Sequence, residues 1–289
     1  MSLSLKFRGA AVVVAVAAMA LTGCSSSDDV ETTSATPTTS GSAAPALETL
    51  TEGKLTIATS EPAYSPWVLN DDPTTGEGFE SAVAYAVAEQ LGFAKDDVVW
   101  VRADFNASIA PGPKDWDFNI QQFSITEERK TAVDFSSPYY TTSQAIVTTG
   151  DSPAATATSI ADLKNVQVGA ATGSTSYEAA AAQIGTDKLQ VFDDNDKAVA
   201  ALQAGQIDAI VIDLPSAFYL RDAVLDDGKI VGQLPDSTAG GDQYGLVLPK
   251  DSPLTTAVSA AVDALAADGT LKALEDKWLT TAENVPVLQ

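Results

Sequence analysis

The stretch LTIATSEPAYSPWVLNDDPTTGEGFESAVAYAVAEQLGFAKDDVVWV, residues 55–101, decides the fold class. Leu55, Ile57 and Thr59 alternate with Thr56 and Ala58, which predicts a short strand ended by Ser60, Glu61 and Pro62. A loop with Tyr64, Pro66 and Trp67 follows, then a turn-rich run from Asn70 to Gly78. From Phe79 the apolar positions Phe79, Val83, Ala86, Val87 and Leu91 fall at helical spacing, and Gly92 supplies the stop. Val98 to Val101 predicts the next strand. Strand, helix, strand in this order is the unit that builds a parallel sheet, so the chain reads as α/β.

Beyond this unit, Pro111, Gly112 and Pro113 require any helix in Phe105 to Lys114 to be short or broken. Trp116, Phe118 and Ile120 then alternate into a strand that delivers Gln121, Gln122 and Ser124 to its C-terminal end, where open parallel sheets bind ligands. The next run, FSITEERKTAVDFSSPYY (residues 123–140), holds Arg129 close to Ser124 and Thr126. A guanidinium offers a planar five-donor fork that suits a carboxylate, with the hydroxyls filling the remaining bonds. The same residues also read as a surface turn in which Arg129 pairs with Glu127 or Glu128.

A second α/β series occupies the rest. Strands are expected at Gln144 to Thr148, Val166 to Ala170, Leu189 to Phe192 and Ile207 to Ile212, with a short one at Ile230 to Val231. Helices are expected at Tyr177 to Gln183 and Asn195 to Ala204. The glycine-containing turn Thr172 to Ser176 opens the first of these, so free amides and the positive end of the helix dipole favour an anion there. It is equally readable as an ordinary helix start. Asp213, at the end of an apolar strand, offers a fixed negative charge for an ammonium and equally an N-cap for a helix from Leu214, two roles that are compatible. Tyr244 to Leu248 predicts one strand, followed by two helices separated by Gly269. The last part is expected to return to the first lobe.

Composition narrows the chemistry. The 289 residues carry 16 basic and 39 acidic side chains, a formal charge of −23, which opposes nucleic acid and anionic membrane surfaces. There is no histidine, and Cys24 is the single cysteine. Ser/His/Asp and Cys/His nucleophilic sites, thiolate or imidazole zinc sites and structural disulfides are thereby excluded. Carboxylate acid/base work and oxygen-ligated metals stay open.

At the start, Lys6 and Arg8 precede the apolar run Gly9 to Leu21, too short to span a bilayer as a mature helix, which reads as a signal peptide over 1–23. Leu21, Thr22, Gly23 and Cys24 resemble the bacterial lipobox, implying a lipidated Cys24; a secreted chain with an idle thiol is the alternative. Residues 24–50 are rich in Ser, Thr, Ala and Pro and lack an apolar period, so they read as a flexible tether.

KLTIATSEPAYSPW, GEGFESAVAYAVAEQLGF, SITEERKTAVDFSSPYY, VQVGAATGSTSYEAA, AGQIDAIVID, YGLVLPKDSPL and ADGTLKALEDKWL occur in this order between Gly53 and Leu279. Together they resemble the polar amino acid family (family 3) of solute-binding proteins that serve bacterial ABC importers. The resemblance implies a two-lobed, type II periplasmic-binding-protein-like fold with two hinge strands and a ligand cleft: lobe 1 over 51–143, lobe 2 over 144–241, and a return to lobe 1 over 242–289. It implies that Arg129 grips the ligand α-carboxylate, that Asp213 and Ser124 receive the α-amino group, and that Gln122 stands where backbone groups meet the ligand. Ser174 and Thr175 match the second-lobe carboxylate site, and Glu61, Tyr64 and Trp67 the loop shaping the side-chain pocket. Glu61 as a solvated acid, and Tyr64 and Trp67 as core aromatics, are the competing readings of those positions.

The implied partners are an amino-acid ligand and an importer permease, for a lipid-anchored monomer on the outer face of the cell membrane, with neither cofactor nor metal. Two features depart from the family pattern: the interrupted segment 105–114, and Gln121 and Gln122 where smaller residues are common. An enzyme on the same scaffold, of the cyclohexadienyl-dehydratase kind with Asp213, Glu61 or a tyrosine as its acid, is one rival. A ligand-sensing lipoprotein is the other.

Overall fold

Leu55–Thr59 (β1) is buried at all five positions, the mark of a strand covered on both faces. The computed structural model describes residues 47–236, 241–279 and 284–289. Cys24, the signal peptide and most of the tether lie outside them.

Helix α1 (Phe79–Gln90) crosses over from β1 to β2 (Val98–Arg102), which pairs with β1 in parallel register, Leu55 opposite Val98. The helix starts at Gly78, where φ is 99° and a Cβ would stand 2.5 Å from the Trp67 carbonyl oxygen, so only glycine fits. As expected, the segment before Pro111 holds only a short helix, α2 (Phe105–Ile109). Strand β3 (Phe118–Asn119) joins the other edge of β1, again in parallel, and β4 (Val133–Phe135) follows the arginine-bearing turn. The chain then runs through β5 (Tyr140–Thr142) into the second lobe.

There β6 (Gln144–Thr149), the short α3 (Ile160–Leu163), β7 (Val168–Ala171), α4 (Thr175–Gln183), β8 (Leu189–Phe192), α5 (Asn195–Gln203), β9 (Ala209–Asp213), α6 (Leu214–Tyr219) and β10 (Gly228–Gln233) complete a sheet ordered β10-β6-β9-β7-β8. Its two faces carry separate apolar clusters, one with Ile146, Val168 and Val211, the other with Val147, Ile210 and Ile212. That split follows from the alternation of side chains along β6 and β9. The sequence reading missed α3, although Ser159 and Asp162 form a capping box at its start.

The return strand differs from expectation. Tyr244 to Leu248 is not one strand but two, β11 (Asp242–Tyr244) and β12 (Val247–Pro249), broken where a Cβ on Gly245 would meet Ile125 at 2.9 Å. Strand β11 pairs antiparallel with β5, and this two-stranded ribbon joins the lobes. Strand β12 enters the first sheet, ordered β2-β1-β3-β12-β4. Helices α7 (Thr255–Ala267) and α8 (Thr270–Trp278) pack with α1 on that sheet, around Ile57, Val83, Val258 and Val262.

The expected return of 242–289 to the first lobe needs one correction. Residues 286–289 lie on the second sheet: Val287 bridges Gln233, the Leu288 amide donates to the Gln233 carbonyl at 2.8 Å, and Leu288 joins the cluster of Ile146 and Leu234. A leucine needs an apolar seat, and this one fills the space that Gly232 leaves open on β10.

Candidate functional site

Arg129 opens a single 3-10 turn, Arg129–Thr131, whose start is held by the Arg129 amide donating to Thr126 Oγ1 at 3.1 Å. The side chain turns inward and is only 8% exposed. Nη1 donates to the Ser124 carbonyl at 2.7 Å, and Nη2 crosses to the other lobe to donate to the Gly173 carbonyl at 2.9 Å. The guanidinium lies 5.5 Å from the centre of the Phe105 ring, which stacks on Phe123 at 4.6 Å. Glu127, a candidate partner in the surface-turn reading, pairs with Lys130 instead, at 2.7 Å. Among the described residues no carboxylate lies within 4 Å of Arg129, and burial pushes its pKa below the ordinary value. A buried cation with donors to spare is a receptor for an anion.

The facing wall is built by the β7-to-α4 connection. Gly173 has a φ of 69°, and Ser174 caps α4 by accepting from the Tyr177 amide at 3.1 Å while donating to the Ala171 carbonyl at 2.7 Å. Thr175, the first residue of α4, places Oγ1 3.1 Å from Ser124 Oγ across the cleft. The amides of this helix start and the Arg129 guanidinium therefore converge from opposite lobes on one anion-sized region.

Asp213 ends β9. It stands at the N-cap position of α6, but its side chain makes no capping bond there. Gln144 Nε2 donates to Asp213 Oδ1 and to Asp242 Oδ2, each at 2.8 Å, and so spaces two carboxylates apart. Enclosure by protein pushes the Asp213 carboxyl up to about 7; Asp242 adds to this, while the Tyr244 hydroxyl, Gln144 and Arg129 oppose it. That hydroxyl sits near Asp213 without a hydrogen bond of normal geometry. A carboxyl raised in this way gains most from an arriving cation.

Ser124, Arg129, Ser174, Thr175 and Asp213 line one cavity of about 90 Å³, together with Tyr64 and Gln122. Tyr64, Gln122 and Asn195 also border a second space of about 330 Å³, which extends between the lobes past Asp71 and Asp196. Two expected residues are elsewhere. Glu61 is exposed and lines neither space. Trp67 is fully buried among Phe79, Tyr140 and Tyr244, because a side chain of that size at a lobe edge is worth more in the core than at a polar cleft. Its indole still reaches across, Nε1 donating to Ser216 Oγ at 2.9 Å.

Phe105, Gln144, Asp242 and Glu80 belong to the site or its immediate support and escaped sequence reasoning. Only Glu80 left a signal, as an acid on the core-facing side of an otherwise apolar helix start. Among the described residues no helix is long and apolar enough to cross a membrane, and no group of three or more acid or thiol side chains is placed to hold a metal ion.

Residues 55–281 match the family described as bacterial extracellular solute-binding proteins, family 3. The L-arginine-binding protein of Pseudomonas aeruginosa is 31% identical over 227 residues, 76% of this chain and 86% of that one. The L-cystine-binding protein TcyJ of Escherichia coli K12 is 30% identical over 226 residues, 75% of this chain and 80% of that one. Among solved structures, an ancestral arginine-binding protein bound to glutamine superposes with a TM-score of 0.66 at 31% identity, covering 79% of this chain and 98% of that one.

Proposed function

The chain belongs to family 3 of the bacterial extracellular solute-binding proteins, and from that premise we propose that it captures a free α-amino acid between its lobes and delivers it to an ABC importer. The observation that carries this reading is the buried Arg129, without a carboxylate partner among the described residues, facing a helix start and a raised carboxyl at Asp213. An α-amino acid brings one anion and one cation on a single carbon and so answers both. In this reading Arg129 and the amides at Ser174 and Thr175 take the α-carboxylate, and Asp213 with Ser124 takes the ammonium. Gln122 and Tyr64 form the wall past which the side chain runs.

A polar side chain, long and cationic, fits the larger space best. Asp71 on its border is paired with Arg102 at 2.6 Å, but Asp196 has no lysine or arginine within 4 Å among the described residues, and burial and its acidic neighbours raise its pKa. Relatives that are named for arginine support the same choice.

Because the anchors come from both lobes, the full set of ligand bonds exists only in the closed form, and ligand shifts the population toward it. Contacts across the cleft already present, Arg129 to Gly173, Ser124 to Thr175 and Trp67 to Ser216, define that form. The importer would recognise the closed shape. Lipidation at Cys24 and a tether over 24–50 would hold a monomer at the outer membrane face; incorporation of labelled fatty acid, lost in Cys24→Ala, tests the anchor. The site itself is tested by a thermal-shift screen of the common amino acids. L-arginine at a hundred times its Kd is expected to add about 2.7 kcal/mol of stability, and a screen in which no amino acid raises the melting temperature would refute the reading.

A further inference from the structure

Glu80, the second residue of α1, is completely buried, yet among the described residues no lysine or arginine lies within 4 Å of its carboxylate. It does not serve as a helix cap. The amides of Phe79 and Glu80 donate to the carbonyls of Pro66 and Trp67, at 3.0 and 2.9 Å, so the helix start is satisfied without it. Three neutral donors meet the carboxylate instead. The Gln122 amide, at 2.7 Å, and the Tyr139 hydroxyl, at 2.5 Å, both donate to Oε1, and Gln122 Nε2 donates to Oε2.

Both residues so held belong to the working parts. Gln122 lines both cleft spaces and has a φ of 50°, a left-handed conformation that a non-glycine residue keeps only when its surroundings impose it. Tyr139 directly precedes the hinge strand β5, and its own amide donates to the Tyr244 carbonyl on β11 at 2.9 Å. One carboxylate thus grips the cavity wall at two points and the root of the hinge at a third.

We propose that Glu80 is a positioning residue for the cleft: its carboxylate clamps Gln122 in the left-handed turn that shapes the cavity wall and ties that wall to Tyr139 at the base of the hinge. The inference rests on the cleft being the ligand site. The titratable groups facing Glu80 are Tyr139, from the segment entering the hinge, and Asp213, from the second lobe. Burial pushes the Glu80 carboxyl up to about 7, against the pull of its three donors. Protonated, Oε2 donates to a turned-over Gln122 side-chain amide while Oε1 keeps its two donors, so the clamp does not depend on the charge of the carboxyl. In Glu80→Gln the amide oxygen takes the Oε1 place and its NH2 faces a turned-over Gln122 amide, which keeps the clamp at every pH.

The test combines hydrogen exchange of the ligand-free protein over residues 120–126 and 139–143 with calorimetry of L-arginine, on wild type, E80A, E80Q, Q122G and E80A/Q122G. In E80A, protection is expected to fall about tenfold or more in both segments together, and affinity about ten- to hundredfold. E80Q is expected to stay within about threefold of wild type, since its amide reproduces the same three contacts. Glycine adopts the left-handed turn without strain, so removing Glu80 should cost less than about threefold when residue 122 is glycine. Unchanged exchange in the two segments, or the same affinity loss from E80A in both backgrounds, overturns the proposal. Should E80A not fold, E80D carries the test, since the shorter acid withdraws from Gln122; loss of protection confined to the two segments supports the clamp, and unchanged protection overturns it. Failure of wild type to bind L-arginine removes the choice of arginine, and failure to bind any amino acid removes the reading of the site, while exchange still decides Glu80; loss of binding in Arg129→Ala with none in E80A removes Glu80 alone.

Discussion

Asp213→Asn should make the free protein more stable while it destroys the ligand site. The carboxyl moves from an ordinary 3.8 to about 7 on folding, which corresponds to roughly 4 kcal/mol between its protonation states. Relaxation and the opening of the side chain toward the cleft reduce the usable part to about 2 to 3 kcal/mol. The folded chain keeps this proton up to about pH 7, whereas the unfolded chain releases it near pH 4. Stability attached to Asp213 is therefore fully present below about pH 4 and is lost as pH rises through about 7. Asparagine cannot ionise, and its oxygen still accepts from Gln144. At pH 8 the variant is expected to melt about 5 to 10 °C above wild type, and at pH 4 within about 2 °C of it. Comparison with wild type at each pH cancels the general repulsion among the acids of a chain of formal charge −23. Scanning calorimetry at the two pH values reads this directly, and the same scans with L-arginine should show a ligand shift in wild type at pH 8 that the variant lacks. A variant that melts at or below wild type at pH 8 would refute the reasoning.

Arg129→Ala should leave a folded protein whose L-arginine affinity falls by about 3 to 5 kcal/mol, since the ligand carboxylate loses its buried cation; calorimetry on a sample with a native circular dichroism spectrum checks it. Gly173→Ala forces an alanine into a φ of 69°, which should cost about 1 to 2 kcal/mol of stability, read as a lower denaturant midpoint, while the exposed Asn106 side chain, whose Oδ1 the new Cβ would meet at 2.2 Å, turns away. Removal of residues 286–289 strips Leu288 from the second core and should cost about 2 to 4 kcal/mol, read as a lower denaturant midpoint with lobe 1 exchange unchanged.

Much of the fold was legible because its strands and helices carry single, strong periods. Phe79 to Leu91 and Ile207 to Ile212 are apolar patterns that admit one reading each, and Gly92, Gly205 and Gly269 mark ends. The division of the Tyr244 strand is hidden because an apolar run does not reveal that its two halves serve different sheets; the break at Gly245 is dictated by Ile125, far away in sequence. The seat of Leu288 is hidden for the same reason, being set by Gly232. Arg129, Ser124, Thr175 and Asp213, legible as charges and hydroxyls at strand ends or helix starts, line one cavity, whereas Trp67 and Glu61 lie outside it, because a loop sequence does not say which side chain turns inward. Gln144 and Glu80 matter through partners 69 and 42 positions away, a relation that no local pattern contains.

The most direct measurement is a paired calorimetric titration with L-arginine and with agmatine, the same molecule without its carboxylate. If Arg129 and the start of α4 exist to hold that carboxylate, L-arginine binds in the micromolar range or tighter and agmatine at least about a hundredfold more weakly. Equal affinity for the two would contradict it.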